Sequence, residues 1–167
     1  MRLFIAINFN TDTRSRLIAL RDELFSISKR GNFSLPENIH LTLAFLGECE
    51  ARQTAAAKTA MDAVRFDPFD IHIERIGRFK RGAGDIWWAG LRGNRPLSDL
   101  HRKLTDKLIV AGFSLERREY IPHITLGREV VTDAFPCKIE PFGETVSRME
   151  LMKSERIAGK LTYTALR

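Results

Sequence analysis

The segment Ile39-His40-Leu41-Thr42-Leu43 returns 83 residues later as Pro122-His123-Ile124-Thr125-Leu126, and this repetition constrains the fold more than any other feature. Each copy is a short apolar run carrying polar residues at alternate positions, the pattern of a β-strand with one polar face. Residues two apart on a strand share a face, so His40 and Thr42 project together while Leu41 and Leu43 pack behind them. His123 and Thr125 stand in the same relation, backed by Ile124 and Leu126. Four His and eleven Thr in 167 residues make about 0.3 His-x-Thr tripeptides expected by chance, and a pair arises about 3% of the time. Spacing by half the chain length predicts a pseudo-twofold pair of lobes, each offering one motif to a shared groove.

The remaining elements fit a mixed architecture. Arg2 to Phe9 reads as a strand, and Thr11 or Asp12 can cap a helix that runs to about Lys29, with Leu17, Leu20, Leu24 and Ile27 at helical spacing and Gly31-Asn32 closing it. A strand over Ile39 to Leu46 follows Pro36, and an alanine-rich helix spans 50 to 65 with Ala57, Met61 and Val64 on one stripe. Phe69 to Phe79 and Ile86 to Leu91 form a hairpin around the basic loop Lys80 to Asp85. Pro96 opens a third helix with Leu97, Leu100, Leu104 and Leu108 in register, closed by Gly112. Ile121 to Gly127, Phe135 to Phe142, Thr145 to Lys153 and Lys160 to Leu166 are further strands. Without strict alternation of strand and helix, the class is α+β with antiparallel sheet, in one domain over residues 1–167.

The paired motif carries chemistry of its own. Two imidazoles with ordinary pKa values near 6.5 supply an acid and a base at neutral pH, one charged and one neutral. Two threonine hydroxyls can donate to the non-bridging oxygens of a phosphate. Together they suit in-line displacement at phosphorus without a metal or other cofactor. The competing reading of either motif alone is a strand edge whose histidine is hydrogen-bonded and structural; the pair disfavours it. A zinc site is also disfavoured, because two histidines without acidic neighbours at ligand spacing fall short of the usual three or four ligands.

Composition narrows the setting. With 44% hydrophobic and 29% charged residues the chain is an ordinary globular one. Its longest stretch free of charge, Asn38 to Gly47, is about half the ~20 residues of a membrane span. The apolar run Leu3 to Ile7 is too short for a secretory leader, and Cys49 and Cys137 stand apart with no metal-ligand spacing, so a cytoplasmic monomer is expected. The net charge of +6 suits a polyanion such as RNA without requiring one.

The two motifs resemble the paired H-x-T-x signatures of the 2H phosphoesterase superfamily. Met1 to Ala6, the run Pro36-Glu37-Asn38-Ile39-His40-Leu41-Thr42-Leu43-Ala44-Phe45-Leu46-Gly47-Glu48, the run Pro122-His123-Ile124-Thr125-Leu126-Gly127-Arg128, and a tail with Ser154, Gly159 and Tyr163 are similar to its RNA 2′,3′-cyclic phosphodiesterase branch, also called 2′-5′ RNA ligases. Gly127 stands where that branch often has another small residue such as Ala. The resemblance implies two antiparallel sheets with helices outside. It implies metal-independent hydrolysis of RNA-terminal 2′,3′-cyclic phosphate to 2′-phosphate, with reversible 2′-5′ ligation. By the same resemblance His40 is the proton donor, His123 the proton acceptor, and Thr42 and Thr125 hold the phosphoryl oxygens. Rival substrates are an ADP-ribose cyclic phosphate or a 2′-5′ oligonucleotide; the rival class is a non-catalytic RNA-binding module.

Strict alternation from His123 turns Arg128 away from the groove, but a bulge at Gly127 turns it back toward phosphate, as the family's second motif implies. His72 and His101 lack a motif and read as structural. Arg75 and the stretch Arg78 to Arg81 are either an RNA-steering surface or a solvated hairpin. Among Phe9, Phe45, Trp87 and Trp88, one of the two adjacent tryptophans is expected in the core while the others are candidates to stack on a base.

Overall fold

In the computed structural model, residues 1–116 and 118–167 are described. The chain runs through β1 (Arg2–Ile7), α1 (Thr11–Ile27), β2 (Ser28–Phe33), a 3₁₀ turn over Pro36–Asn38, β3 (Leu41–Glu48), α2 (Ala51–Asp62), β4 (Phe69–Phe79), β5 (Asp85–Leu91), α3 (Arg95–Val110), β6 (His123–Thr132), β7 (Cys137–Val146), β8 (Glu150–Ile157) and β9 (Lys160–Ala165). Among the described residues the strands form two antiparallel sheets, ordered β3-β1-β8-β9 and β2-β6-β5-β4-β7. This is the α+β class that the sequence predicts. The first motif belongs to the four-stranded sheet and the second to the five-stranded one, and each sheet draws strands from both ends of the chain.

Local chemistry sets the elements. Asn10 rather than Thr11 or Asp12 caps α1, its side-chain oxygen accepting from the Thr13 amide at 2.9 Å. Leu17 and Leu24 face the core, whereas Ile27 is exposed where the chain leaves the helix. Helix α2 opens with a reciprocal capping box between Glu50 and Gln53 and buries Ala57 and Met61. Helix α3 buries Leu97, Leu100, Leu104 and Leu108 on one stripe, the residues its spacing nominates. The β4–β5 hairpin closes tightly at Gly84, with φ +128, where a Cβ would stand 2.5 Å from the Glu129 backbone.

Two stretches differ from the sequence reading. Ser28–Phe33, expected to finish a helix and turn, is an edge strand paired with β6. The expected strand Thr145 to Lys153 straddles the end of β7 and the start of β8, and the chain turns between them without a Gly or Pro to announce it. Strand β1 is apolar on both faces: Leu3, Ile5 and Ile7 enter the main core, while Phe4 and Ala6 join a small second cluster with Met152 and Tyr163. No helix among the described residues is long and apolar enough to cross a membrane.

Candidate active site

His40 precedes β3 directly. The turn that leads to it is fixed by Arg14, whose guanidinium donates to the Pro36 and Ile39 carbonyls at 2.9 and 3.0 Å, and by the Asn38 amide, which donates to the Leu161 carbonyl at 2.8 Å. The His40 Nδ1 lies 2.6 Å from the Asn38 carbonyl. A carbonyl only accepts, so Nδ1 carries the hydrogen and Nε2 of the neutral ring is left as an acceptor. That Nε2 receives the Thr42 hydroxyl at 2.8 Å. Phe4 and Tyr163 flank the ring, at 4.9 and 5.3 Å between centroids.

His123 repeats the arrangement in the other sheet. Its Nδ1 donates to the Ile121 carbonyl at 2.8 Å, two residues back as at His40, which fixes the same tautomer. Phe79 meets the ring edge-on at 5.0 Å, with Trp88 at 6.4 Å. Thr125, half-buried, is the ladder partner of Trp88. Each imidazole is thus held by a carbonyl two residues upstream and collared by aromatics from its own sheet.

The pairing of Trp88 with Thr125 and of Trp87 with Gly127 leaves Leu126 as an extra residue in β6. The bulge resets the alternation, and Arg128 lines a cavity of about 600 Å³ together with Thr42, Phe45, Phe79, Tyr120 and His123. His40 and Thr125 are not among the residues that line it; His40 is bonded through Nε2 to Thr42, which is. Arg128 is the charge common to both imidazoles. Burial is the main influence lowering the His40 pKa, opposed by the Asn38 carbonyl and aided by Arg14, Arg128 and His123. Burial likewise leads at His123, opposed by the Ile121 carbonyl and aided by Arg128 and Arg118. Both histidines are therefore depressed, whereas the sequence suggests two ordinary ones.

Of the aromatic candidates, Trp87 is 1% exposed and lies in the main core, while Phe9 and Trp88 are each 8% exposed and enclosed. Trp88 packs against Phe79 under the Arg75 guanidinium. Phe45, 67% exposed, is the one that faces the cavity freely. The basic stretch divides similarly. Arg75 donates to the Leu91 carbonyl and Arg78 pairs with Asp85 over the Trp87 ring, which leaves Arg81 on the cavity wall. His72 is exposed on β4; His101 lies on the cavity wall, its ring stacked parallel on Tyr120 at 3.8 Å.

Sequence reasoning missed Phe4, Phe79, Tyr120, Arg14 and Ser34. For Phe4 a signal existed: the unbroken apolar run Leu3 to Ile7 is that of a strand buried on both faces. Among the described residues no three His, Cys, Asp or Glu side chains gather as a metal-holding group, and both cysteines are free thiols, Cys49 buried and Cys137 exposed.

Comparison with known proteins agrees with this fold. The family profile described as the 2′-5′ RNA ligase superfamily matches residues 32–157. The chain is 30% identical to the RNA 2′,3′-cyclic phosphodiesterase of Archaeoglobus fulgidus, over 96% of this chain and 94% of that one. It is 31% identical to the enzyme of the same name from Escherichia coli, over 99% and 94%. The crystal structure of Escherichia coli LigT complexed with 3′-AMP superposes with a TM-score of 0.86 at 29% identity, covering 99% of this chain and 95% of that one. The chain belongs to the 2′-5′ RNA ligase superfamily.

Proposed function

We propose that this protein hydrolyses the 2′,3′-cyclic phosphate at RNA ends to a 2′-phosphate, using two histidines and no metal. The observation that carries the reading is the matched pair of imidazoles, each with Nδ1 committed to a carbonyl and each within the field of Arg128. Committing Nδ1 leaves Nε2 as the nitrogen that exchanges protons with a ligand. Water attacks phosphorus as His123 Nε2 takes its proton; the new P–O bond forms as the P–O3′ bond breaks. His40 Nε2 protonates the departing 3′-oxygen. Thr42 and Thr125 donate to the non-bridging oxygens, and Arg128 offsets their growing charge. With an RNA 5′-hydroxyl attacking in place of water, the same steps in the same direction join two ends through a 2′-5′ bond, and their reversal cleaves it. The name of these relatives and the 3′-AMP held by Escherichia coli LigT support a nucleotide substrate. A monomer is the working unit of this reading, and the exposed free thiol of Cys137 fits a reducing, cytoplasmic setting.

The test is an oligonucleotide ending in a 2′,3′-cyclic phosphate, incubated with the protein in EDTA. Stoichiometric 2′-phosphate is expected. A 3′-phosphate product, turnover abolished by the chelator, or salt-sensitive RNA binding without any product overturns the proposal.

A pH dependence follows from the depressed histidines. The productive free site has His123 neutral and His40 charged. With both pKa values below 6.5, kcat/KM peaks on the acid side of that value. It then falls as His40 loses its proton, approaching tenfold per pH unit. Removing a positive neighbour raises a histidine's pKa, so Arg128→Gln moves both limbs to higher pH while lowering the maximum. A parent kcat/KM profile still rising above about pH 7.5 contradicts this assignment.

A further inference from the structure

The segment leading into each motif reaches across to the other motif. Tyr120 stands three residues before His123, and its hydroxyl donates to the Thr42 carbonyl at 2.8 Å. Ser34 stands six residues before His40, and its hydroxyl donates to the Thr125 carbonyl at 2.9 Å. Two threonines from different sheets are thus each tied, through the backbone, to the approach of the opposite motif.

The two ties are unequal. Ser34 is held in place three times over: its amide donates to the Leu126 carbonyl at 2.9 Å, its carbonyl accepts from Arg21 at 2.7 Å, and it continues from β2, already paired with β6. Tyr120 has no such ladder. It is set by the parallel stack on His101 of α3, and its hydroxyl is what meets β3, an edge strand with β1 as its one ladder neighbour. Burial pushes the Tyr120 pKa far up, so the hydroxyl stays protonated as a donor at any working pH. The Thr42 hydroxyl in turn holds His40 Nε2, donating to the neutral ring and accepting from the charged one. A contact that fixes the Thr42 backbone therefore also fixes where His40 points.

We propose that Tyr120 and Ser34 are reciprocal positioning residues that hold the two His-x-Thr strands in catalytic register, with Tyr120 the dominant tie. The proposal rests on the hydrolysis reading for its kinetic consequence, but not for the ties themselves. Tyr120→Phe keeps the ring and its stack and removes the hydroxyl alone. A misplaced reacting group costs up to about 10² in rate, so the loss of one of several constraints on Thr42 is expected to lower kcat about tenfold. KM is expected within about twofold of the parent and the melting temperature lower by no more than about 5 °C, because one neutral hydrogen bond adds little net stability. Ser34→Ala keeps the amide bond to Leu126 and is expected to lower kcat by about twofold at most.

The ties are read separately from activity by ¹⁵N–¹H spectra. The Thr42 carbonyl shares its peptide group with the Leu43 amide, and the Thr125 carbonyl with the Leu126 amide. The Leu43 resonance is expected to move in Tyr120→Phe and the Leu126 resonance in Ser34→Ala. A kcat for Tyr120→Phe within about twofold of the parent, a loss carried wholly by KM, or a stationary Leu43 resonance overturns the proposal. A parent that fails to open the cyclic phosphate overturns the hydrolysis reading instead, and the spectra still decide the ties.

Discussion

His123→Ala lowers kcat for cyclic-phosphate opening by about 10²–10⁴-fold, the usual worth of a positioned proton acceptor, and leaves the fold intact. The ring lies half-buried on the cavity wall, touching Phe79 edge-on, so its removal opens the existing cavity rather than a sealed void. His40→Ala falls by a similar factor through the other proton transfer. It costs more stability, because the ring fills the gap between Phe4 and Tyr163. The double variant is expected to be little slower than either single one. The two groups act on one bond change, and once either transfer is lost the other has no partner step to assist. Steady-state kinetics on all three variants, with circular dichroism to confirm folding, is the measurement. Parent-like kcat in the double variant removes both imidazoles from the mechanism. Loss of RNA affinity with unchanged turnover per bound substrate assigns them to recognition alone.

What the sequence discloses about this site is what strand periodicity can carry. The side chains of His40 and Thr42, and of His123 and Thr125, follow from a period of two, and the apolar stripe of α3 follows from a period of 3.6. The features it conceals depend on neighbours distant along the chain. Ser28–Phe33 reads SKRGNF, with no apolar alternation, and is a strand because β6 offers it an open edge. The side on which Arg128 emerges depends on a bulge at Leu126, and that bulge is defined by pairing with Trp87 and Trp88 rather than by the residues of β6. Gly127 signals an irregular strand, but the extra residue is its neighbour. The histidine pKa values depend on burial and on Arg14, Arg118 and Arg128, groups that converge from separate segments. Tyr120 carries no motif at all. Its role rests on a carbonyl 78 residues away.

The same dependence on distant neighbours makes Gly77 a vulnerable position next to the reacting groups. Gly77 lies opposite Trp88 in the β4–β5 ladder, and the indole lies across it: a Cβ there would stand 2.2 Å from Trp88 Cη2 and 2.6 Å from Cζ2 and Cζ3. Gly90, two residues along β5, likewise leaves room for the ring, with a Cβ placed 2.7 Å from Cζ3. The indole cannot swing aside, since Phe79 packs against it at 5.3 Å and the Arg75 guanidinium covers it at 5.7 Å. Gly77→Ala therefore overpacks an enclosed site at a cost of about 2–3 kcal/mol. For a domain of this size that lowers the melting temperature by roughly 4–12 °C. Activity falls further than stability alone implies, because Trp88 and Phe79 form the wall against which His123 is set. The discriminating variant is Gly77→Ala with Trp88→Phe. A phenyl ring is too short to reach the new methyl, so the double variant is expected to melt above Gly77→Ala alone and to regain part of its kcat, a coupling of opposite sign to two independent losses. A double variant that melts below both single ones would show that the indole, not the space beneath it, is what the sheet cannot lose.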